Sequence, residues 1–568
     1  MKWPTQGLSL CLIACALAAQ AGAIDREAFT FTRYTLTVQL DPGQHRITVR
    51  GRIRLRNDSQ SPQKTAVLQV SSSLDWLSIQ ADGKALPFVT QTYTTDIDHT
   101  GALSEAVVTL PEALAPKASL DIDVGYDGVI VVDTTRLARI GTPEADAAAT
   151  DWDQIGTSFT GVRGVGYVAW YPIATESVDL GDAQSLPDTV DRWKRRHSAS
   201  ELSLLIESVQ SVPILCSGEK PLATVVLSDG MTTAAACDFT RLGHDVPVFV
   251  EADYQMQKLP DGAMVASLKA HDEAAGTYAT WLALPSLLPA ARSRGQLQAV
   301  DFPVLGAAPF VSGNMLLAAM NRAPADHDRS TLVYARTRQE IRSLRPWLVE
   351  GLAHYAQLLD LENQRGRQAA IDYLRGHSSV LTPPPPDGAM RRSLLDANDD
   401  IYLQSKAMYV WWMLRDITGK DPNYVLVSYL QEDDTTPTYV QKLLEKISQR
   451  DLQWFFDDWV YHDRGLPSFR VASAFARKTK PDAYLLTVTV ENSGGCGAEV
   501  PVRVRFAGGE QERRLEVKGK ASAVIHFELP KSPQEVIVND GSVPESGEGA
   551  KPFEIAPASD DKQQPPTQ

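Results

Sequence analysis

Glu350 and His354 stand four residues apart in Arg345-Pro346-Trp347-Leu348-Val349-Glu350-Gly351-Leu352-Ala353-His354-Tyr355. On a helix, residues i and i+4 share one face, so a carboxylate and an imidazole there can reach one ion. Two ligands alone make a weak metal site, and the third candidate, His327, lies outside this segment and reads as a loop residue. A packing or surface role is the simpler reading for both histidines. Other reactive patterns are missing or fail on context. The sequence has no Gly-x-Ser-x-Gly, no phosphate loop and no Cys-x-x-Cys, which removes the nucleophile elbow, the nucleotide cradle and the cysteine-rich zinc modules. Gly164-Val165-Gly166-Tyr167-Val168-Ala169 matches a dinucleotide fingerprint by letter, yet Trp170-Tyr171-Pro172 follows where a helix must begin. Asp399-Asp400 and Asp457-Asp458 read as solvated helix ends or N-caps.

The 568 residues carry 55 Lys plus Arg against 70 Asp plus Glu, a net charge of -15 with no block of like charge. Nucleic acid is not an expected partner for such a surface. With 43% hydrophobic and 22% charged residues, the composition is that of a folded globular protein, and the length suggests about three to five domains. Leu8 to Ala19 is apolar and Ala21-Gly22-Ala23 follows, the pattern of a signal peptide over residues 1–23. The chain is therefore expected to be exported, periplasmic or extracellular. No transmembrane segment is expected, since no later run approaches about 18 apolar residues. Leu12-Ile13-Ala14-Cys15 also fits a lipoprotein cleavage pattern, which would leave a lipid anchor on Cys15. Cys216 and Cys237 sit in neighbouring strand-like runs, and a bridge between them or three buried thiols with Cys496 are both open readings.

Three rhythms divide the rest. Over residues 24–251 the pattern is mostly strand: Tyr34, Leu36, Val38 and Leu40 alternate with polar residues, Asp41-Pro42-Gly43 turns the chain, and Ile47, Val49, Ile53 and Leu55 resume. Over 252–468 the period becomes helical, with helices expected at Met264 to Leu282, Pro346 to Arg375, Tyr402 to Ile417, Tyr424 to Gln431, Thr438 to Ser448 and Leu452 to Tyr461. Pro383 to Pro386 interrupt it as a stiff extended loop. The aromatic group Tyr409, Trp411 and Trp412 belongs in a core. Strand alternation returns over 469–545, and 546–568 is polar, Pro-rich and expected to be disordered.

The segment from Arg345 to Tyr355 resembles the Trp-Leu-x-Glu-Gly-x-Ala stretch of the membrane alanyl aminopeptidase family, the gluzincin metallopeptidases. Lys406 to Gly419 is similar to that family's Lys-Gly helix, and Phe455-Phe456-x-x-Trp459 with Gly465-Leu466-Pro467 to the end of its catalytic domain. The resemblance implies an α+β multidomain chain: an N-terminal antiparallel β domain, a thermolysin-like mixed α/β and helical domain of the catalytic type, and a C-terminal β-sandwich. It also implies a zinc ion held by His-Glu-x-x-His and a following Glu, the intervening Glu taking a proton from zinc-bound water.

Glu350 stands where the third ligand is implied, but no His-Glu-x-x-His exists. Counting back by the family's usual interval lands on His327-Asp328-Arg329-Ser330-Thr331. A shorter connection lands on Tyr334-Ala335-Arg336-Thr337-Arg338, the preferred register, because Leu332 and Val333 give an apolar helix face and Asp326 to Ser330 reads as a cap and turn. Arg338 then brings a permanent positive charge to the cation's place, and an Arg338–Glu350 ion pair is expected to fill it. The amine-gripping carboxylate of the Gly-Ala-Met-Glu-Asn motif aligns with Phe310. The tyrosine that steadies the intermediate aligns with Gln404, with Tyr402 nearby. Tyr334, Arg338, Glu350, Tyr402 and Phe310 are thus expected to line a vestigial cleft, in a pseudoenzyme that needs no cofactor and binds a peptide or protein segment. The alternative is an active zinc aminopeptidase with an atypical site drawn from Glu350, His354 and His327.

Overall fold

The computed structural model describes residues 24–556 apart from 183–184, 219–224, 227–231, 289–295, 305, 382–392, 398–399, 422–423, 481–482 and 548–550. The expected signal peptide, Cys15 and the Pro383 to Pro386 run lie outside the described residues. The chain is multidomain, with helices and several sheets.

Period-2 alternation in the first region produces strands that are apolar on one face, so they must stack on a second layer. Strand Phe29–Asp41 buries Tyr34, Leu36, Val38 and Leu40 and lies inside an eight-stranded sheet, antiparallel to Arg46–Asn57. Its other neighbour, Glu201–Ser208, runs parallel, a departure from the wholly antiparallel domain expected from sequence. A parallel neighbour needs a crossover. Helix Ser185–His197 lies in that crossover, and Leu186, Val190 and Trp193 stand on it at helical spacing within a region that otherwise reads as strand. Trp193 and His197 on its inner face are buried and stack with ring centroids 4.7 Å apart.

Cys216 and Cys237 form a disulfide, with Cα atoms 6.3 Å apart, and Cys496 is a buried free thiol. The bridge spans 21 residues of sequence. Replacing both Cys216 and Cys237 by Ala is expected to cost about 3 kcal/mol through the larger unfolded ensemble, read as a shift of the denaturant midpoint of this region.

The second region opens with a five-stranded sheet in the order Tyr254–Lys258, Met264–Leu268, Gln298–Asp301, Met315–Ala318, Phe310–Ser312. The three central strands are mutually parallel and the two edges antiparallel. The helix expected over Met264 to Leu282 is therefore divided: Met264–Leu268 is a strand, Lys269–His271 a 3-10 turn, and Asp272–Leu282 the α-helix. A strand covered on both faces is a continuous apolar run, which period alone does not separate from a buried helix. Likewise Pro346 to Arg375 forms two helices, Pro346–Arg365 and Arg367–Gly376, because Gly366 at φ 85° turns the chain between them. Tyr424 to Gln431 contains one turn, Val425–Ser428, since Tyr424 and Val427 find no core and stay exposed. Leu452 to Tyr461 is helical at Gln453–Phe456 and widens into a π turn at Asp457–Tyr461, from which Trp459 Nε1 donates to Gly497 O at 2.8 Å. Tyr439–Ser448 and Asp400–Thr418 are helices, and Tyr409, Trp411 and Trp412 are in the core.

Helices Pro346–Arg365 and Asp400–Thr418 cross closely at Gly351. A Cβ there would sit 2.6 Å from Trp411 Nε1, so only glycine lets Trp347 stack on Trp411 at 5.3 Å. This contact fixes the helix that carries the neighbouring Glu350.

The last region packs a three-stranded sheet, Phe469–Lys480, Ala483–Asn492 and Ala521–Leu529, against a four-stranded one. The fourth strand, Phe553–Glu554, pairs with Pro533–Val538, so the stretch expected to be a disordered tail contains a strand among its described residues. Ile555 beside it is buried, the core residue that the polar composition of the tail concealed. No helix among the described residues is long and apolar enough to cross a membrane.

Candidate functional site

Asp326–Glu340 is helical from Asp326 onward. Asp326 and Asp328 suit the positive end of the helix dipole, and Asp328 accepts from the Ala325 backbone N–H at 2.7 Å. The expected cap and turn is thus the first helical turn, and His327 belongs to it rather than to a loop. Its side chain is 62% exposed beside Asp328, with Nε2 2.9 Å from the Arg322 guanidinium. It does not line the cavity that holds Glu350.

Tyr334 and Arg338, one turn apart on this helix, face Glu350 and His354, one turn apart on the next. The phenol of Tyr334 donates to Glu350 Oε2. Arg338 Nε donates to Glu350 Oε1 at 2.9 Å, and its Nη1 donates to Asp245. The shorter register is therefore the one that meets Glu350. Tyr334 and His354 stack with centroids 4.5 Å apart, and His354 Nδ1 lies 2.7 Å from Gln357 Oε1. Ala335, where the resemblance would put a general base, is buried in the core beneath the helix.

Charge is settled inside this network. Burial disfavours the Glu350 carboxylate most strongly, but Arg338, His354 and the Tyr334 hydroxyl together outweigh it and hold the pKa below the ordinary value. Burial also opposes the Arg338 guanidinium, which Asp245 and Glu350 keep charged. Burial, with Glu350 beside it, pushes the Tyr334 phenol far up, so it stays a donor. Burial lowers the His354 pKa against the pull of Glu350. Because the folded pKa of Glu350 is depressed, its contribution to stability is complete above the unfolded carboxylate value of about 4.3 and is lost as pH falls through the folded value. The stability advantage of the wild type over Glu350→Gln is therefore expected to be flat near neutrality and to shrink below about pH 4, measured by thermal melts across pH.

The donor set does not suit zinc. A guanidinium is donor-only and permanently charged, so Arg338 repels a cation from the carboxylate it already holds. Among the described residues no three His, Cys, Asp or Glu side chains converge as metal ligands.

Beside the network opens a cavity of about 710 Å³. Phe310, on the edge strand Phe310–Ser312, is part of its wall and meets Tyr167 edge-on at 5.4 Å. Tyr167 covers the Arg163 guanidinium at 3.6 Å. The fingerprint-like Gly164 to Ala169 stretch is a turn followed by no helix, and Val165, Gly166 and Tyr167 serve as cavity wall. Gln404 also lines the cavity. Tyr402, expected there, does not: it lies about 200° around the helix from Gln404, where its hydroxyl accepts from Lys406 Nζ at 2.8 Å and reaches Asp463 at 3.4 Å. Sequence reading missed Asp245, His244 and Lys194, which lie far from the motif along the chain. Lys194 carried a signal, the helical spacing it shares with Leu186 and Val190, whereas His244 and Asp245 carried none.

No protein-family model matches this sequence, and no curated protein does. Among solved structures, the chain is similar to a mutant M1 zinc metallopeptidase from Deinococcus radiodurans at 14% identity and TM-score 0.48, covering 78% of this chain and 96% of that one. The mutant bound to a Tyr-Ser-Ala substrate gives 13% identity and TM-score 0.48, with 77% and 94% covered.

Proposed function

We propose that this chain is a pseudopeptidase: an exported protein with the aminopeptidase arrangement of domains that does not hydrolyse peptides and holds a peptide or protein segment in its cleft. One observation carries the reading. Both oxygens of Glu350 are committed, one to Tyr334 and one to Arg338, while a cavity of about 710 Å³ stays open beside them. Hydrolysis needs a polarised electrophile and a base within reach of water. Here the electrophile's place is filled by a guanidinium, and the base position is the methyl group of Ala335. The cavity is within the size range of ligand sites and mixes aromatic wall with polar floor, which suits a short peptide stretch. Either removal of residues 1–23 or, in the lipoprotein alternative, cleavage before a lipidated Cys15 precedes this role.

The test is incubation with a tetrapeptide mixture, followed by mass spectrometry of retained and free peptides. Retention of intact peptides is expected. New fragments that disappear in Glu350→Gln would overturn the reading, as would retention of nothing.

A further inference from the structure

We infer that the ligand places a free carboxylate on Lys194 and an apolar side chain against Leu186 and Val190, so that the cleft takes the carboxy-terminal end of a peptide. This rests on the peptide-binding reading above and adds which end is bound and by what.

Helix Ser185–His197 turns one face to the cavity: Leu186, Pro187, Val190, Asp191 and Lys194, at helical spacing. Leu186 and Val190 belong to the same stripe as Trp193 and His197, which are buried in the N-terminal core and hold the helix in place, so the half-buried edge of that stripe, with Lys194 beside it, is what the cavity meets. Val190 and Lys194 are separated by about 6 Å along the axis, the span of about two residues of extended peptide. An apolar side chain on Leu186 and Val190 therefore brings a terminal carboxylate up to the ammonium group.

The other charges in the cavity are already answered. Arg136 holds Asp151 through two hydrogen bonds of 2.8 and 2.6 Å. Arg338 is shared between Asp245 and Glu350. Asp191, next to Lys194 on the same face, pairs with Arg195 at 2.8 Å. Asp400, at the start of the facing helix, takes part in contacts of its own. Burial keeps His244 toward its neutral form. Among the described residues Lys194 is the cavity cation that makes no direct ion pair, its charge acting on Asp191 only at longer range, behind Arg195. A peptide amine finds the deep carboxylates occupied, whereas a peptide carboxylate finds a half-buried ammonium beside an apolar strip.

The experiment compares two N-acetylated tetrapeptide mixtures, one with free carboxy termini and one amidated, on the full chain and on Lys194→Met. Peptides with a free terminus, enriched in large apolar last residues, are expected to be retained about tenfold better than their amides. That preference is expected to vanish in Lys194→Met and to survive in Lys194→Arg, with circular dichroism showing all three folded. Equal retention of acid and amide overturns the assignment while leaving peptide binding intact. So does a preference that Lys194→Met leaves unchanged. Retention of neither mixture, with unblocked peptides also unbound, overturns both the assignment and the peptide-binding reading.

Discussion

Arg338→Met is expected to lower stability by about 3–5 kcal/mol, the cost of leaving buried carboxylates without their cation. Arg338 is shared by Asp245 and Glu350, whose side chains are 8% and 19% exposed, and is itself 11% exposed. Water therefore replaces it poorly. Tyr334→Phe removes one hydrogen bond to an ionised acceptor and is expected to cost less, about 1.5–3 kcal/mol. Adding Glu350→Gln to Arg338→Met removes one of the stranded charges, so the double variant is expected to be more stable than the sum of the single losses predicts. Denaturant unfolding followed by tryptophan fluorescence measures all of these, since Trp347 lies on the helix that carries Glu350 and stacks on Trp411 of the helix packed against it. A loss below about 1 kcal/mol for Arg338→Met, the range of an exposed pair, would show that the guanidinium does not hold the site together.

Replacing Tyr334 and Arg338 together, as Tyr334→His with Arg338→His, is expected to raise bound zinc from background to about one per chain. Both side chains already touch Glu350 from adjacent turns of one helix. Two imidazoles at these positions and the freed carboxylate supply three donors on the geometry zinc accepts. Hydrolysis is not expected to follow, because Ala335 offers no carboxylate to take a proton from a bound water. Elemental analysis after dialysis, with a melting temperature that rises on adding zinc and falls on chelation, reads the gain. A folded double variant with no more zinc than the wild type would show that positions 334 and 338 do not form the metal face.

What the sequence revealed of the site follows from helix geometry. Tyr334 with Arg338 and Glu350 with His354 are pairs at i and i+4, but the register that set one pair against the other came from the resemblance to the gluzincin motif, and the pairing of Arg338 with Glu350 followed from that alignment together with the need of a buried carboxylate for a cation. Asp245 was not legible, because it lies 93 residues from Arg338 and no local pattern marks it. Tyr402 was misplaced because a distance of two residues along the chain is most of the way to the other side of a helix. In the fold, alternating strands such as Phe29–Asp41 declared themselves through one wet face. Met264–Leu268, dry on both faces, did not. The helix that carries Lys194 was missed although Leu186, Val190 and Trp193 stand at helical spacing, because it is a single helix among strands.

The most direct test of the central claim, that a guanidinium stands where an electrophile would be needed, is the metal content of the purified wild-type chain. It should be measured together with hydrolysis of amino-acid anilides before and after chelation. Expected is less than about 0.1 zinc per chain and no turnover that chelation removes. About one zinc per chain, with chelator-sensitive hydrolysis that Glu350→Gln abolishes, would contradict it.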